Sequence, residues 1–153
     1  IIDGEKVKAR KKTNNKWFET QDSISYWDEF SKPKIVWGNL NTKGSYALAP
    51  EDMFINAPAC MIVPGSPYLL AMLNSKVADY YIRNLGVVRN CGFFEYKPMF
   101  VEKLPVPQNA DTKAVTDIES YVDSKNETAI DKAVYMLYGL TEEETLYIDK
   151  KGR

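Results

Sequence analysis

Acid–base chemistry in this chain would have to use Asp, Glu, Lys, Tyr or Cys, because its 153 residues include no His. Triads with an imidazole base, His-liganded zinc and charge switching near neutral pH are therefore excluded. Cys60 and Cys91 are too far apart for the paired Cys spacing of zinc or iron–sulfur sites. We expect two buried, reduced thiols rather than a disulfide.

One short string has the residue types of a magnesium-dependent nuclease, namely Glu95-Tyr96-Lys97. Such a site also needs an Asp from a preceding strand to share the metal. The nearest candidate, Asp79, falls in a predicted helix, and Pro98 would disturb a central strand directly after the Lys. We therefore predict no catalytic residue and no metal site, and keep the nuclease as an unfavoured alternative.

A second group of residues has the side chains that DNA readout requires. Asn can pair with adenine through two hydrogen bonds, Arg can do the same with guanine, and Lys suits a phosphate. The ordinary alternative is that the Asn residues belong to turns and the Trp to the core. The candidate DNA-binding residues are Lys8, Arg10, Lys11, Lys12, Lys34, Trp37, Asn39, Asn41, Lys43, Arg89 and Asn90.

Charge is unevenly distributed along a chain whose net charge is −1. Residues 1–16, here called the basic front, hold six basic and two acidic side chains. Residues 110–153 hold six basic and ten acidic side chains. A basic front can face a polyanion, although a charged run is more often a solvated surface.

The first part of the chain has the patterns of β structure. Strands are predicted over 34–38, over 45–49 and over 59–63, the last fully buried because its apolar run is continuous. A short helix opened by Ser25 and ended by Pro33 precedes them.

Helical and strand signals then alternate. Ser66 caps one helix, Ser75 caps a second, and Gly86 is placed to end the second in the left-handed conformation. Residues 87–97 are typical of a hairpin or of two short strands around a turn, and 99–102 of one further strand.

From residue 111 the sequence is helical throughout. Thr128 with Asp131 predicts one helix start, Gly139 its end, and Thr141 the start of the next helix. The predicted fold class is α+β, a mixed or antiparallel sheet followed by helices. We divide the chain into a β-rich subdomain with central helices over 1–107 and a C-terminal helical segment over 108–153.

The sequence contains no apolar run of the roughly 18 to 20 residues that a membrane span needs. It begins at Ile1 without a signal peptide, so we expect a piece of a longer polypeptide.

Several strings together resemble the TaqI-like C-terminal specificity domain of fused type II restriction–methyltransferase enzymes. The most specific is Ile-Asp-Lys-Ala-Val-Tyr-Met-Leu-Tyr-Gly-Leu-Thr-Glu-Glu-Glu over 130–144. The others follow in the family's order over about residues 16–148: 24–30, 32–36, Leu-Leu-Ala-Met-Leu-Asn-Ser over 69–75, Glu-Tyr-Lys-Pro over 95–98, and Leu-Pro-Val-Pro over 104–107.

This resemblance implies a target recognition domain that reads double-stranded DNA while other domains of the same chain act on it. In the family, a methyltransferase domain uses S-adenosylmethionine to methylate adenine at N6 after flipping the base out, and often a nuclease domain requires Mg²⁺. The chain itself lacks the Asn-Pro-Pro-Tyr motif. It is therefore expected to bind no cofactor and to catalyse nothing, inside the cytoplasm of a prokaryote.

A rival interpretation is a protein-interaction module of a phage-defence methyltransferase complex. Its contact surface would be the acidic terminal helix with exposed aromatic residues such as Tyr135 and Tyr147.

Overall fold

An antiparallel three-stranded sheet lies at the centre of the N-terminal part of the molecule. The computed structural model describes residues 14–16, 18–19 and 25–151. Its strands are β1 (Lys34–Gly38), β2 (Leu40–Asn41), β3 (Tyr46–Ala49), β4 (Ala59–Ile62) and β5 (Phe94–Glu95). β1 lies between β3 and β4, antiparallel to both, and β2 pairs with β5 in a separate antiparallel sheet.

Helices pack with these sheets, two of them between β4 and β5 and the others after β5, so the α+β prediction is confirmed. They are α1 (Pro67–Asn74), α2 (Lys76–Leu85), α3 (Pro98–Val101), α4 (Thr112–Asp123), α5 (Glu127–Leu137) and α6 (Glu142–Lys151). Short 3-10 turns span Trp27–Ser31 and Asn90–Gly92.

Helix starts that depend on local side-chain chemistry lie where the sequence predicts them. The Oγ atoms of Ser66 and Ser75 each accept a hydrogen bond from the amide three residues on, at 3.1 and 3.2 Å. Thr141 and Glu144 form a reciprocal capping box, with each backbone amide donating to the other side chain. These three predictions are confirmed.

Two predicted boundaries are wrong. Residues 99–102 do not form a strand, because Pro98 occupies the first turn of helix α3. Helix α5 is capped by Asn126, whose Oδ1 accepts from the amide of Ala129, rather than by Thr128. Asp131, the expected capping partner, instead accepts at 2.8 Å from the first amide of α2.

Gly86 ends helix α2 as expected, but for a different reason. Its φ is −82°, outside the left-handed region. The residue is needed as glycine because a Cβ there would lie 2.7 Å from the carbonyl oxygen of Glu95. Helix α2 therefore contacts the backbone of β5 directly.

Three smaller expectations also need correction. The first helical turn begins at Trp27 without a side-chain cap, so Ser25 does not open it. Strand β4 is half-buried along its length instead of fully buried. Both thiols are free as predicted, yet Cys60 is half-buried and Cys91 is exposed.

Two apolar clusters join the sheet to the helices. The first is built on Ile35 and Trp37 of β1 and on Leu73 and Ile82 of α1 and α2. The second joins α1 to α4 and α5, with Met72, Ile118 and Val134 completely shielded from solvent in the described structure. Because α1 contributes to both clusters, it connects the β-rich part to the C-terminal helices. No helix in the described residues is long and apolar enough to cross a membrane.

Candidate nucleic-acid interface

Most of the described candidate DNA-binding residues fall in two loops, residues 39–43 after β1 and residues 89–90, and the segments that carry these loops pair in one small sheet. Leu40 and Asn41 of β2 lie opposite Glu95 and Phe94 of β5, and Val88 forms a further antiparallel bridge to Phe94. We call this unit, made of β2, β5 and Val88, the β2–β5 ribbon. It places the segment after β1 beside the segment that carries the second candidate loop.

A buried carboxylate anchors one side of the ribbon. Asp79, on helix α2, accepts at Oδ1 from the amide of Gly44 and from the hydroxyl of Tyr96, both at 2.6 Å. Its Oδ2 accepts at 3.2 Å from Arg83, whose guanidinium lies over the Phe94 ring, 3.9 Å from the ring centroid. Burial, and then the hydrogen bond to Asp79, raise the pKa of the Tyr96 phenol. The phenol therefore remains a donor at neutral pH.

A second carboxylate lies beneath the opposite face of β5. The Glu95 side chain is 5% exposed, whereas its partners Arg89 and Lys97 are 53% and 43% exposed. Arg89 donates to Oε1 through Nε at 2.6 Å and also through Nη2, and the Lys97 Nζ lies 2.9 Å from Oε2. The hydrogen bonds from Lys97 and then Arg89 lower the pKa of Glu95. Glu95 is thus an ionised anchor for two surface cations.

Apolar side chains accompany these cations on the ribbon. Leu40 is 49% exposed and Val88 is 63% exposed. Because residues directly opposite in antiparallel strands share a face, Leu40 lies on the same face as Glu95. A surface that mixes cations, amides and single apolar groups can contact the acceptors, donors and methyl groups that base edges present.

Two of the predicted DNA-binding residues have structural roles instead. Lys34 is fully buried, and its ammonium donates to the carbonyl oxygens of Pro50 and Glu51 at 2.7 and 2.8 Å. Trp37 is a core residue whose indole N–H donates to the Tyr96 carbonyl at 2.6 Å. Neither side chain reaches the surface, so neither contacts DNA in this conformation.

The two Asn residues lie on the ribbon and keep part of their surface. Asn39 accepts at its carbonyl from the amide of Tyr96 at 2.8 Å, which extends the pairing of β2 with β5. Asn41 uses Oδ1 to accept from the amide of Thr42 at 2.9 Å. Both side chains are half-buried, and the Asn41 amide nitrogen has no hydrogen-bond partner among the described residues.

Lys43 and Asn90 are exposed, and each follows a ribbon residue, Asn41 or Val88, by two positions. Asn90 opens a tight turn in which Cys91 and Gly92 have positive φ angles of 61° and 77°. The turn is closed by a hydrogen bond from the Arg89 amide to the Phe93 carbonyl at 2.7 Å. Lys8, Arg10, Lys11 and Lys12 lie outside the described residues.

The geometry does not favour the nuclease alternative. Both oxygens of Glu95 are occupied by cationic side chains. In the parts of the chain that the structure describes, no three Cys, Asp or Glu side chains are grouped closely enough to hold a metal ion.

The interaction-module alternative loses one of its two named aromatic residues. Tyr135 is buried, and its hydroxyl donates to Asp149 at 2.8 Å. Tyr147 is about half exposed and packs edge-on against Tyr80, with ring centroids 5.9 Å apart.

Sequence reasoning missed the residues that hold the site together. Asp79 and Glu95 were noticed only as metal-ligand candidates, and Lys97 only as part of the same string. The alternation of Glu95 and Lys97 around Tyr96 does carry a signal, because residues i and i+2 of an extended segment lie on one face. Their partners Arg89 and Arg83 could not be assigned without the fold.

About two thirds of the chain is similar to a known protein family. Residues 2–106 match the family model described as the TaqI-like C-terminal specificity domain. The chain therefore belongs to that family, and it is a DNA sequence-specificity domain of a restriction–modification enzyme. The string over 130–144 lies outside the matched residues. A search of curated proteins gave no match.

Proposed function

We propose that the β2–β5 ribbon reads the target sequence in double-stranded DNA for a methyltransferase that modifies adenine. The observation that carries this proposal is the meeting of the two candidate loops in one ribbon. Arg89, Asn41 and Lys43 are exposed or half-exposed there beside single apolar side chains.

A two-stranded ribbon is one of the structures that fits the major groove of B-DNA. In that groove each base pair presents a distinct pattern of donors, acceptors and methyl groups. Asn41 would pair with an adenine, while Lys43 and Asn90 would contact the backbone or base edges beside the ribbon. Lys34 and Trp37 are no longer candidates.

Most of the binding energy would come from elsewhere. Phosphate contacts dominate affinity for DNA, and this chain has a net charge of −1. We assign nonspecific backbone contacts to Lys8, Arg10, Lys11 and Lys12 of the basic front, and the remainder to other domains of the parent enzyme. Binding by this chain alone would accordingly be weak.

Chemistry would also take place in those other domains. The parent methyltransferase would use S-adenosylmethionine, and a fused nuclease domain, where one is present, would use Mg²⁺. The specificity domain would hold neither group, and it would act with the parent inside the prokaryotic cytoplasm.

The test is to express the full-length protein and to map methylated adenines in the host DNA. We expect methylation at one sequence motif. Asn41→Ala should relax the motif at a single position, because it removes one base contact, while Lys12→Ala should lower methylation at all sites alike. A protein that methylates no adenine and selects no DNA motif would refute the proposed function. An unchanged motif in Asn41→Ala would refute the role of Asn41.

A further inference from the structure

The group formed by Arg89, Glu95 and Lys97 has one more cation than its internal pairing needs. A single cation would neutralise the Glu95 carboxylate, yet Arg89 binds Oε1 and Lys97 binds Oε2. The carboxylate is buried while both cations remain about half exposed. The group therefore presents one net positive charge at the surface of the ribbon.

The geometry points to a specific role for each member, building on the proposed function. We propose that Arg89 reads a guanine in the target, that Lys97 contacts a nearby phosphate, and that Glu95 is the positioning residue for both cations.

The orientation of the guanidinium supports guanine as the base. Arg89 uses Nε and one Nη2 hydrogen for Oε1 of Glu95. Its outer edge, formed by Nη1 and the second Nη2 hydrogen, has no acceptor among the described residues. Two parallel N–H donors on that edge match the O6 and N7 acceptors of guanine in the major groove.

The backbone also restricts Arg89. Its amide donates to the Phe93 carbonyl at 2.7 Å, at the base of the turn with two left-handed residues. With the backbone fixed by this turn and the side chain fixed by Glu95, less conformational freedom is lost when a base is bound. This is the arrangement expected of a preorganised contact.

The residues around Arg89 suit contact with base edges in a DNA groove. Leu40, directly opposite Glu95, is 49% exposed on the same face, where it could contact a thymine methyl beside the guanine. Lys97 is a flexible ammonium at the margin of the ribbon and suits a phosphate better than a base.

The experiment uses the full-length protein to select sites from a random duplex library, followed by affinity measurements at several salt concentrations. The variants are Arg89→Lys, Glu95→Gln and Lys97→Ala, with Lys113→Ala on helix α4 as an exposed control lysine. Thermal unfolding of each variant verifies that the fold is intact.

Arg89→Lys should lower the preference for guanine at one motif position by about tenfold to a hundredfold, because the paired donors are lost while the charge is kept. Glu95→Gln should relax the same position, by about threefold to tenfold, since the guanidinium is no longer held. The double variant Arg89→Lys/Glu95→Gln should be no worse at that position than Arg89→Lys alone.

Lys97→Ala should weaken all sequences alike and reduce the salt slope of log K by about one, whereas Lys113→Ala should change neither. Two outcomes would overturn this inference and leave the proposed function standing. Either Arg89→Lys selects the same motif as the wild-type protein, or Arg89→Lys weakens binding to all sequences alike. If Glu95→Gln instead lowered the base preference at every motif position, Glu95 would be a structural residue and not a positioning residue for Arg89. Selection of no motif by the wild-type protein would instead overturn the proposed function.

Discussion

The buried Asp79 carboxylate joins helix α2 to two other segments of the chain, the turn after β2 and the residue after β5. It accepts from Gly44 in the turn after β2, from Tyr96 after β5 and from Arg83 one helical turn further along α2. A carboxylate that is 2% exposed is tolerable only because its acceptor positions are filled by donors. Asp79 therefore holds the ribbon against helix α2.

Replacing Asp79 by Asn should destabilise the protein by about 2–3 kcal/mol, since Arg83 loses its charged partner and an amide N–H₂ would face its donors. Urea unfolding measures this change. Asp149→Asn is the matched control, because Asp149 pairs with Lys76 at a side-chain exposure of 41% and should cost at most about 1 kcal/mol. Equal losses in the two variants would show that Asp79 is not an anchor.

Residue type and local context were poor guides to which polar side chains face solvent. Lys34 and Trp37 flank the apolar pair of β1, and both have the chemistry of a DNA contact. Their acceptors, the carbonyls of Pro50, Glu51 and Tyr96, come from other segments of the chain. Burial of this kind is decided by tertiary packing, which single-residue reasoning does not contain.

At the level of elements, Gly86 determines how closely helix α2 approaches β5. The helix ends with its Gly86 amide bonded to the Ile82 carbonyl at 2.9 Å, and the chain then passes against the Glu95 carbonyl. The same carbonyl belongs to the residue that holds Arg89 and Lys97. A side chain at position 86 should therefore displace β5 of the ribbon.

Gly86→Ala should destabilise the protein by about 1–3 kcal/mol, because its Cβ would overlap a backbone oxygen that cannot rotate away. It should also weaken sequence-specific DNA binding by the full-length protein. Denaturant unfolding and site-binding measurements test both effects. Gly38→Ala is the control, since a Cβ there meets no atom within 4 Å and the change should stay within about 0.5 kcal/mol.

Elements with local signals could be predicted, and those with distant partners could not. The caps at Ser66, Ser75 and Thr141 depend on residues within one helical turn, and all three were found in the sequence. The ribbon depends on the pairing of Leu40 with Glu95, and several helices and strands separate these two residues along the chain. The hairpin predicted over 87–97 captured half of that ribbon, but the sequence contained no sign of its other half.

For the whole molecule, the division of charge along the sequence leads us to expect that the basic front faces DNA and that the acidic C-terminal segment does not. The basic front carries most of the local positive charge, and the C-terminal helices carry an acidic excess. Acidic side chains repel the negatively charged DNA backbone. The acidic helices should therefore lie away from the duplex and adjoin other parts of the parent enzyme. The distribution of charge was readable from the sequence, whereas the position of the helices relative to the ribbon required the fold.

Salt dependence tests this division directly. In the full-length protein, Lys11→Gln combined with Lys12→Gln should reduce the slope of log K against log salt by about two, because each lost phosphate contact removes roughly 0.9. The selected motif should not change, since phosphate contacts carry no base information. Lys113→Gln combined with Lys132→Gln removes the same charge from exposed positions on α4 and α5. An equal loss of slope in this control pair would show that net charge alone, and not the basic front, governs attraction to DNA.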